Sequence, residues 1–303
     1  MTTEARLPLS MQDLTHEVVT ADSNGIDYDV WTWRPPGYEQ SDQPYPVLFV
    51  LDGAMFMGTA IETVSVMSTI GEAKPAILVG VSTAPPGAHG IQRTIDYSAE
   101  VPTDEVRAAA PGTEFSFWEI YEKLFEAAGM RFEDGFGGTD AFHAFLTEQI
   151  LPDITSRYRV DLDEVGVAGH SSGGDFAVDT LLRKQSPISR FIVGSYGTDV
   201  LEANLPEREK RFAATAAARP LRVFCGYGGA EEDDPYLTHY IERGVALLQR
   251  LQAADPAMDV TIRRFDRETH GSVFAHIFSS GYREIWGTGI SFVEAMRGVS
   301  IDL

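Results

Sequence analysis

Val165-Gly166-Val167-Ala168-Gly169-His170-Ser171-Ser172-Gly173-Gly174 passes from an apolar run, through a G-x-S-x-G turn, into a helical pattern carrying Phe176, Ala177, Thr180 and Leu181. A strand-to-helix turn this tight puts Ser171 in strained backbone geometry, and glycine two residues before and two after it leaves room for neighbouring backbone. The Ser171 hydroxyl is then expected at the carboxyl end of a sheet. The N–H of Ser172, at the helix start, is expected to point to where an oxyanion would form. The plainer alternative is a glycine-rich turn with a helix-capping serine.

Working outward, further apolar runs flank this one. Val47–Leu51 is continuous and ends in Asp52-Gly53, as a strand buried on both faces should. The stretches 76–81, 191–194, 221–226 and 260–265 repeat the pattern, and Asp27–Trp33 alternates as a half-buried strand would. Helical spacing separates them, with Phe142, Phe145, Leu146 and Ile150 before the Val165 run, and Ile241, Val245, Leu248 and Leu251 before the last. Strands alternating with helices require crossover connections, hence an α/β three-layer sandwich with a mainly parallel central sheet. We expect one domain over residues 1–303 with a cap-like helical insertion at about 84–138. That insertion opens with Pro85-Pro86-Gly87 and has no strand of its own. It contains Ser116-Phe117-Trp118-Glu119, which reads as a capping box at the start of an amphipathic helix. Seven aromatics, Phe115, Phe117, Trp118, Tyr121, Phe125, Phe132 and Phe136, are expected to line an apolar pocket, with Phe117, Trp118 and Tyr121 as the substrate-binding candidates.

A serine hydroxyl needs a base within hydrogen-bond reach. Of seven histidines, His270 follows the last sheet run in a loop at the correct end of the sheet, and the Ser, acid, His chain order of this elbow selects it. His276 falls within a helical stretch, and His170 cannot serve its neighbouring serine. For the acid, the run ending at Gly226 leads into Glu231-Glu232-Asp233-Asp234. Glu231, first after the glycine turn, is the leading candidate. Glu232, Asp233, Asp234 and Asp199 remain open, and acidic residues at a helix start account for some of the cluster. A second oxyanion donor is expected from the Ala54 N–H, aimed by the turn at Gly53; a plain strand-ending turn is the alternative.

Composition bounds the rest. The chain has 303 residues, 44% of them hydrophobic, with 24 Lys and Arg against 45 Asp and Glu, a net charge of −21. That surplus disfavours nucleic acid and anionic membrane surfaces as partners. The single cysteine, Cys225, reads as a small core hydrophobe and suits a reducing compartment. The start MTTEARLPLSMQDLTHE lacks a basic region and a signal-length apolar run, so a cytoplasmic location is expected. A small-molecule partner is expected, and the oligomeric state stays open, a homodimer included. Polyanionic substrates should be poor unless a basic patch lies at the pocket mouth, for which Arg93 and Arg131 are candidates.

These motifs together resemble the α/β-hydrolase superfamily, and within it the putative-esterase group that includes S-formylglutathione hydrolases, siderophore trilactone esterases and mycolyltransferases. The resemblance rests on Pro35-Pro36-Gly37-Tyr38, Tyr45 to Gly53, Arg93-Thr94-Ile95-Asp96-Tyr97, Gly137 to Phe142, Gly169 to Gly174, Gly228 to Glu232 and His270-Gly271-Ser272-Val273. They follow the family's order over residues 15 to 295. The resemblance implies a serine carboxylic-ester hydrolase needing no metal or organic cofactor. Carried over position by position, it implies Ser171 as nucleophile, His270 as base, Glu231 as acid, and the Ala54 and Ser172 N–H groups as oxyanion hole. It also admits an acyltransferase, a biosynthetic esterase or thioesterase, or a non-catalytic ligand-binding member. One departure stands out: where siderophore-esterase-like members often show Ser-Pro-Ser, this chain has Ser195-Tyr196-Gly197.

Overall fold

The computed structural model describes residues 11–84, 89–108, 110, 112–290 and 293–294. In chain order the elements are β1 (Leu14–Thr20), β2 (Asp27–Trp33), β3 (Tyr45–Leu51), α1 (Gly53–Thr69), β4 (Ile77–Thr83), α2 (His89–Tyr97), α3 (Asp104–Arg107), α4 (Phe117–Ala127), α5 (Thr139–Ala144), α6 (Leu151–Arg157), β5 (Val160–His170), α7 (Ser172–Leu182), β6 (Arg190–Gly194), α8 (Leu205–Ala214), β7 (Arg222–Gly228), α9 (Leu237–Ala254), β8 (Asp259–Phe265) and α10 (Val273–Trp286). A π-helical turn, Phe145–Ile150, joins α5 to α6.

The described strands form one eight-stranded sheet in the order β1-β2-β4-β3-β5-β6-β7-β8. β1 and β2 run antiparallel to their neighbours, and β4 through β8 pair in parallel. This is the fold of the α/β-hydrolases. The continuous apolar runs are its central strands because both faces are covered. Val47, Phe49 and Leu51 of β3 pack toward a cluster with Tyr97, Phe142, Phe176, Phe212 and Leu247. Leu48 and Val50 point the other way, to Met57, Ile61, Phe278 and Trp286 of α1 and α10. Every residue of β3 is buried, and each large apolar side chain there gains about 1.5–3 kcal/mol over exposure. The pleat's period of two thus feeds two cores from one strand.

β1 is absent from the sequence reading. Its burial is only partial and Val18 is 58% exposed, so it has no continuous apolar signature. The insertion between β4 and α5 carries α2, α3 and α4 and no strand among its described residues, while Pro85, Pro86 and Gly87 lie outside them. It has its own cluster of Val106, Trp118, Phe125 and Phe132, closed by Val200 from the loop after β6. α4 begins where expected, but Ser116 makes no side-chain cap: its hydroxyl donates to the Arg107 carbonyl, 2.8 Å away. The expected capping box is therefore a tertiary bond tying α3 to α4. Cys225 is buried in the sheet, and burial pushes its thiol up to about 12. No helix among the described residues is long and apolar enough to cross a membrane.

The insertion's base is fixed by charge. Asp179 of α7, fully buried, accepts from Arg183 at the end of the same helix and from Arg208 on α8, and Arg208 also donates to Glu100 beyond α2. Removing one buried member leaves the others uncompensated. Asp179→Ala should lower the unfolding free energy by about 3–5 kcal/mol, read from urea denaturation followed by circular dichroism.

Candidate active site

Ser171 sits between β5 and α7 with φ 57° and ψ −129°, one of five described non-glycine residues at positive φ. Its N–H donates to the Gly194 carbonyl of the next strand at 2.8 Å, and its carbonyl accepts from Gly174 and Asp175 as the helix begins. A Cβ at position 169 would lie 2.1 Å from the Gly173 carbonyl oxygen, because the first helical turn crosses over the strand end. One at 174 would meet the Tyr196 Cβ at 2.8 Å. At 173 the nearest atom is the Asp52 Oδ2 at 3.3 Å, so the strict requirement falls on Gly169 and Gly174 rather than on both motif glycines. As first residue of α7, Ser172 has an N–H with no acceptor inside the helix.

His270 lies in the loop between β8 and α10. Its Nδ1–H donates to the Glu231 Oε1 at 2.5 Å. Glu231, in the turn after β7, also accepts from the Gly228 N–H at 2.6 Å and the Ser195 hydroxyl at 2.8 Å. Burial alone would raise its pKa, but the bonds from His270, Gly228 and Ser195 outweigh it and hold the carboxyl below the usual range. Three of the other acidic candidates have different partners: Glu232 pairs with Arg264, Asp234 accepts from the N–H groups of Tyr236 and Leu237 at the start of α9, and Asp199 pairs with Arg243 and Tyr236; Asp233 is exposed. Glu231 is the carboxylate that His270 meets.

Ser195 and His170 are contributors that sequence reasoning missed. Ser195, at φ 41°, stands where the Ser-Pro-Ser departure was noted, and its hydroxyl fixes the second oxygen of Glu231. The His170 Nε2–H donates to the His270 carbonyl at 2.8 Å, so this side chain holds the loop of His270 while its own ring packs edge-on to Phe56 and Phe274. Burial, then the nearby His270, pushes its pKa down to about 4, which keeps it neutral. His276 is on α10, half exposed beside Glu268.

The Ala54 N–H donates to the Ser82 hydroxyl at 3.0 Å, so it is not free to point at Ser171 as expected. Gly53 opens α1, and Asp52 before it, in left-handed conformation, ends β3. Asp52 is held bidentately by Arg93 of α2, at 2.6 and 2.9 Å, and its N–H donates to the Tyr97 hydroxyl. Arg93 therefore ties the insertion to the sheet. Arg131 pairs with Asp134 at the surface. Neither supplies the basic patch considered from sequence.

Ser171, Ser172 and His270 border one cavity of about 420 Å3, walled by Phe117, Trp118 and Tyr121 of α4. Phe115 joins that wall, whereas Phe125, Phe132 and Phe136 pack within the insertion's own cluster, so the seven aromatics divide between pocket and core. Asp175, one turn along α7 from Ser171, lies on the same cavity with Tyr236 and Tyr240. Burial pushes the Asp175 carboxyl up to about 7, which the bonds from the Gly197 N–H and the Tyr240 hydroxyl only partly offset.

No protein-family model matches the chain. It is 28% identical to the ferri-bacillibactin esterase BesA of Bacillus subtilis over 154 residues, half of this chain and 47% of the relative, so this match spans about half the relative's length. It is 22% identical to an apo-salmochelin esterase of Escherichia coli over 290 residues, 90% of this chain and 79% of the relative. Among solved structures, siderophore hydrolase EstA from Aspergillus nidulans superposes with a TM-score of 0.73 at 17% identity, covering 94% of this chain and 98% of that one. The BES protein from Bacillus cereus does so with 0.71 at 22% identity, covering 94% and 99%.

The Asp175 geometry has a consequence for stability. Its folded-state pKa lies above that of an unfolded carboxyl, so its proton favours the folded chain. That contribution is complete below about pH 4 and is lost as pH rises through the folded value of about 7. The melting temperature of the native protein relative to Asp175→Asn should fall as pH is raised from about 4 to about 8. A difference independent of pH would contradict this.

Proposed function

We propose that this chain, with its α/β-hydrolase fold and its likeness to siderophore esterases of the putative-esterase group, is a serine carboxylic-ester hydrolase working through an acyl-enzyme on Ser171. The observation that carries the reading is the His270–Glu231 hydrogen bond opening onto the same cavity as the strained Ser171. His270, its Nδ1–H held by Glu231, takes the Ser171 proton at Nε2 as the oxygen attacks the ester carbonyl. The Ser172 N–H stabilises the tetrahedral oxyanion. His270 then protonates the leaving alcohol. Water, deprotonated by the same base, releases the acid and restores Ser171.

The substrate in this reading is a small-molecule ester. The names of the two curated relatives make siderophore esters the first to test, alongside thioesters and graded simple esters. Transfer to an added alcohol, read from products, distinguishes an acyltransferase. A non-catalytic binding protein is distinguished by its failure to react with a fluorophosphonate.

The native protein should be labelled stoichiometrically by a fluorophosphonate, and Ser171→Ala should abolish labelling and lower kcat by about 10^4-fold or more. His270→Ala should lower kcat to a similar degree, because the pair acts as one unit. An unlabelled native protein would overturn the reading. The cap is tested separately: replacing Trp118 and Tyr121 with Ala should lower kcat/KM for bulky apolar esters about tenfold relative to short ones. An unchanged ratio would remove the insertion from substrate binding.

A further inference from the structure

We infer that the buried part of the cavity is an organic-cation subsite, with Asp175 as the counter-charge, so that the preferred esters carry an ammonium group. This rests on the esterase reading and names the substrate class for it. Asp175 is in the first turn of α7, its N–H bonded to the Ser171 carbonyl, and both residues line the cavity. The residue is only 3% exposed. Its Oδ1 accepts from the Gly197 N–H at 3.0 Å and the Tyr240 hydroxyl at 2.7 Å, and the same hydroxyl lies 2.9 Å from Oδ2. A carboxylate offers about four acceptor positions, so two donors leave capacity unfilled.

The charges around it are matched elsewhere. Among the described residues, Asp52 pairs with Arg93, Asp199 with Arg243 and Glu231 with His270, while Asp175 has no Lys or Arg within ion-pair distance. No Lys or Arg is among the described residues that line the cavity, and a second carboxylate, Asp234, does line it. A buried carboxylate without a cation is costly and is otherwise relieved by taking up a proton; a cationic ligand can replace that proton, which a neutral or anionic one cannot do. The walls suit the same ligand. Trp118, Tyr121, Tyr236 and Tyr240 line the cavity, and aromatic rings attract ammonium groups most strongly where water is excluded. Phe117 stacks on Tyr236 at 5.0 Å, which joins the insertion's aromatics to those ahead of α9 in one wall.

The test uses isosteric ester pairs that differ only in charge. On the acyl side these are 4-nitrophenyl 4-(trimethylammonio)butanoate and 4-nitrophenyl 5,5-dimethylhexanoate. On the alcohol side they are 2-(trimethylammonio)ethyl butanoate and 3,3-dimethylbutyl butanoate. In the native protein kcat/KM should favour the cationic member of at least one pair by about tenfold or more. Asp175→Asn should bring that ratio down to about one. Tetramethylammonium should inhibit hydrolysis of the neutral esters competitively, a measurement that needs no variant. Neutral esters turned over as fast as cationic ones in both pairs, or a ratio unchanged in a folded Asp175→Asn, would overturn the subsite and leave the esterase reading intact; Asp175 would then serve only to fix Gly197 and Tyr240. Absence of turnover and of fluorophosphonate labelling would instead overturn the esterase reading.

Discussion

The backbone of Ser171, held at positive φ between a strand and a helix, is the constraint on which the site depends. A non-glycine residue in that conformation costs of order 1–3 kcal/mol and persists only where the surroundings over-determine it. Here they do. The Ser171 N–H is anchored to Gly194 on the neighbouring strand, the helix passes directly over Gly169, and Gly174 lies against Tyr196. The sheet order follows the same need, since β3 and β6 flank β5 and deliver Asp52 and Ser195 to either side of the turn.

Electrostatics then orders what the turn presents. Glu231 is buried yet held ionised by three donors from three parts of the chain: the strand end at Gly228, the loop at Ser195 and the imidazole of His270. Charge-assisted hydrogen bonds of this kind are the strong ones, and they fix the orientation of the ring as well as its tautomer. His170 secures the same loop through its backbone. Glu231 holds the ring and His170 the backbone of its loop, and neither lines the cavity.

Much of this was legible in the sequence, and the part that was not shares a physical cause. Central strands buried on both faces announce themselves as apolar runs, and a G-x-S-x-G between such a run and a helix signals its own geometry, so β3 to β8 and the placing of Ser171 and His270 follow from local pattern. β1 is half exposed and gives no such run. Ser116, Ala54 and Arg93 were misread because their partners, Arg107, Ser82 and Asp52, are set by how distant segments cross. Ser195 and Asp175 were silent for the same reason: a serine and a carboxylate take their meaning from what the fold places opposite them. Which carboxylate His270 meets was open among five residues until the turn after β7 was seen to aim Glu231 inward and Glu232 outward.

The two ends of the sheet bear on how the protein behaves in concentrated solution. Among the described residues, β1 and β8 each leave one row of backbone donors and acceptors unpaired within the sheet, the template from which strands of separate molecules join. β1 carries His16 and Glu17, engaged with Asp29 and Arg157, and β8 carries Asp259, Arg263 and Arg264. A strand approaching either border would have to strip water from these charged groups, and the chain's overall negative charge adds repulsion between copies. The same half-polar character that hid β1 from pattern reading makes it a poor template for edge-to-edge pairing.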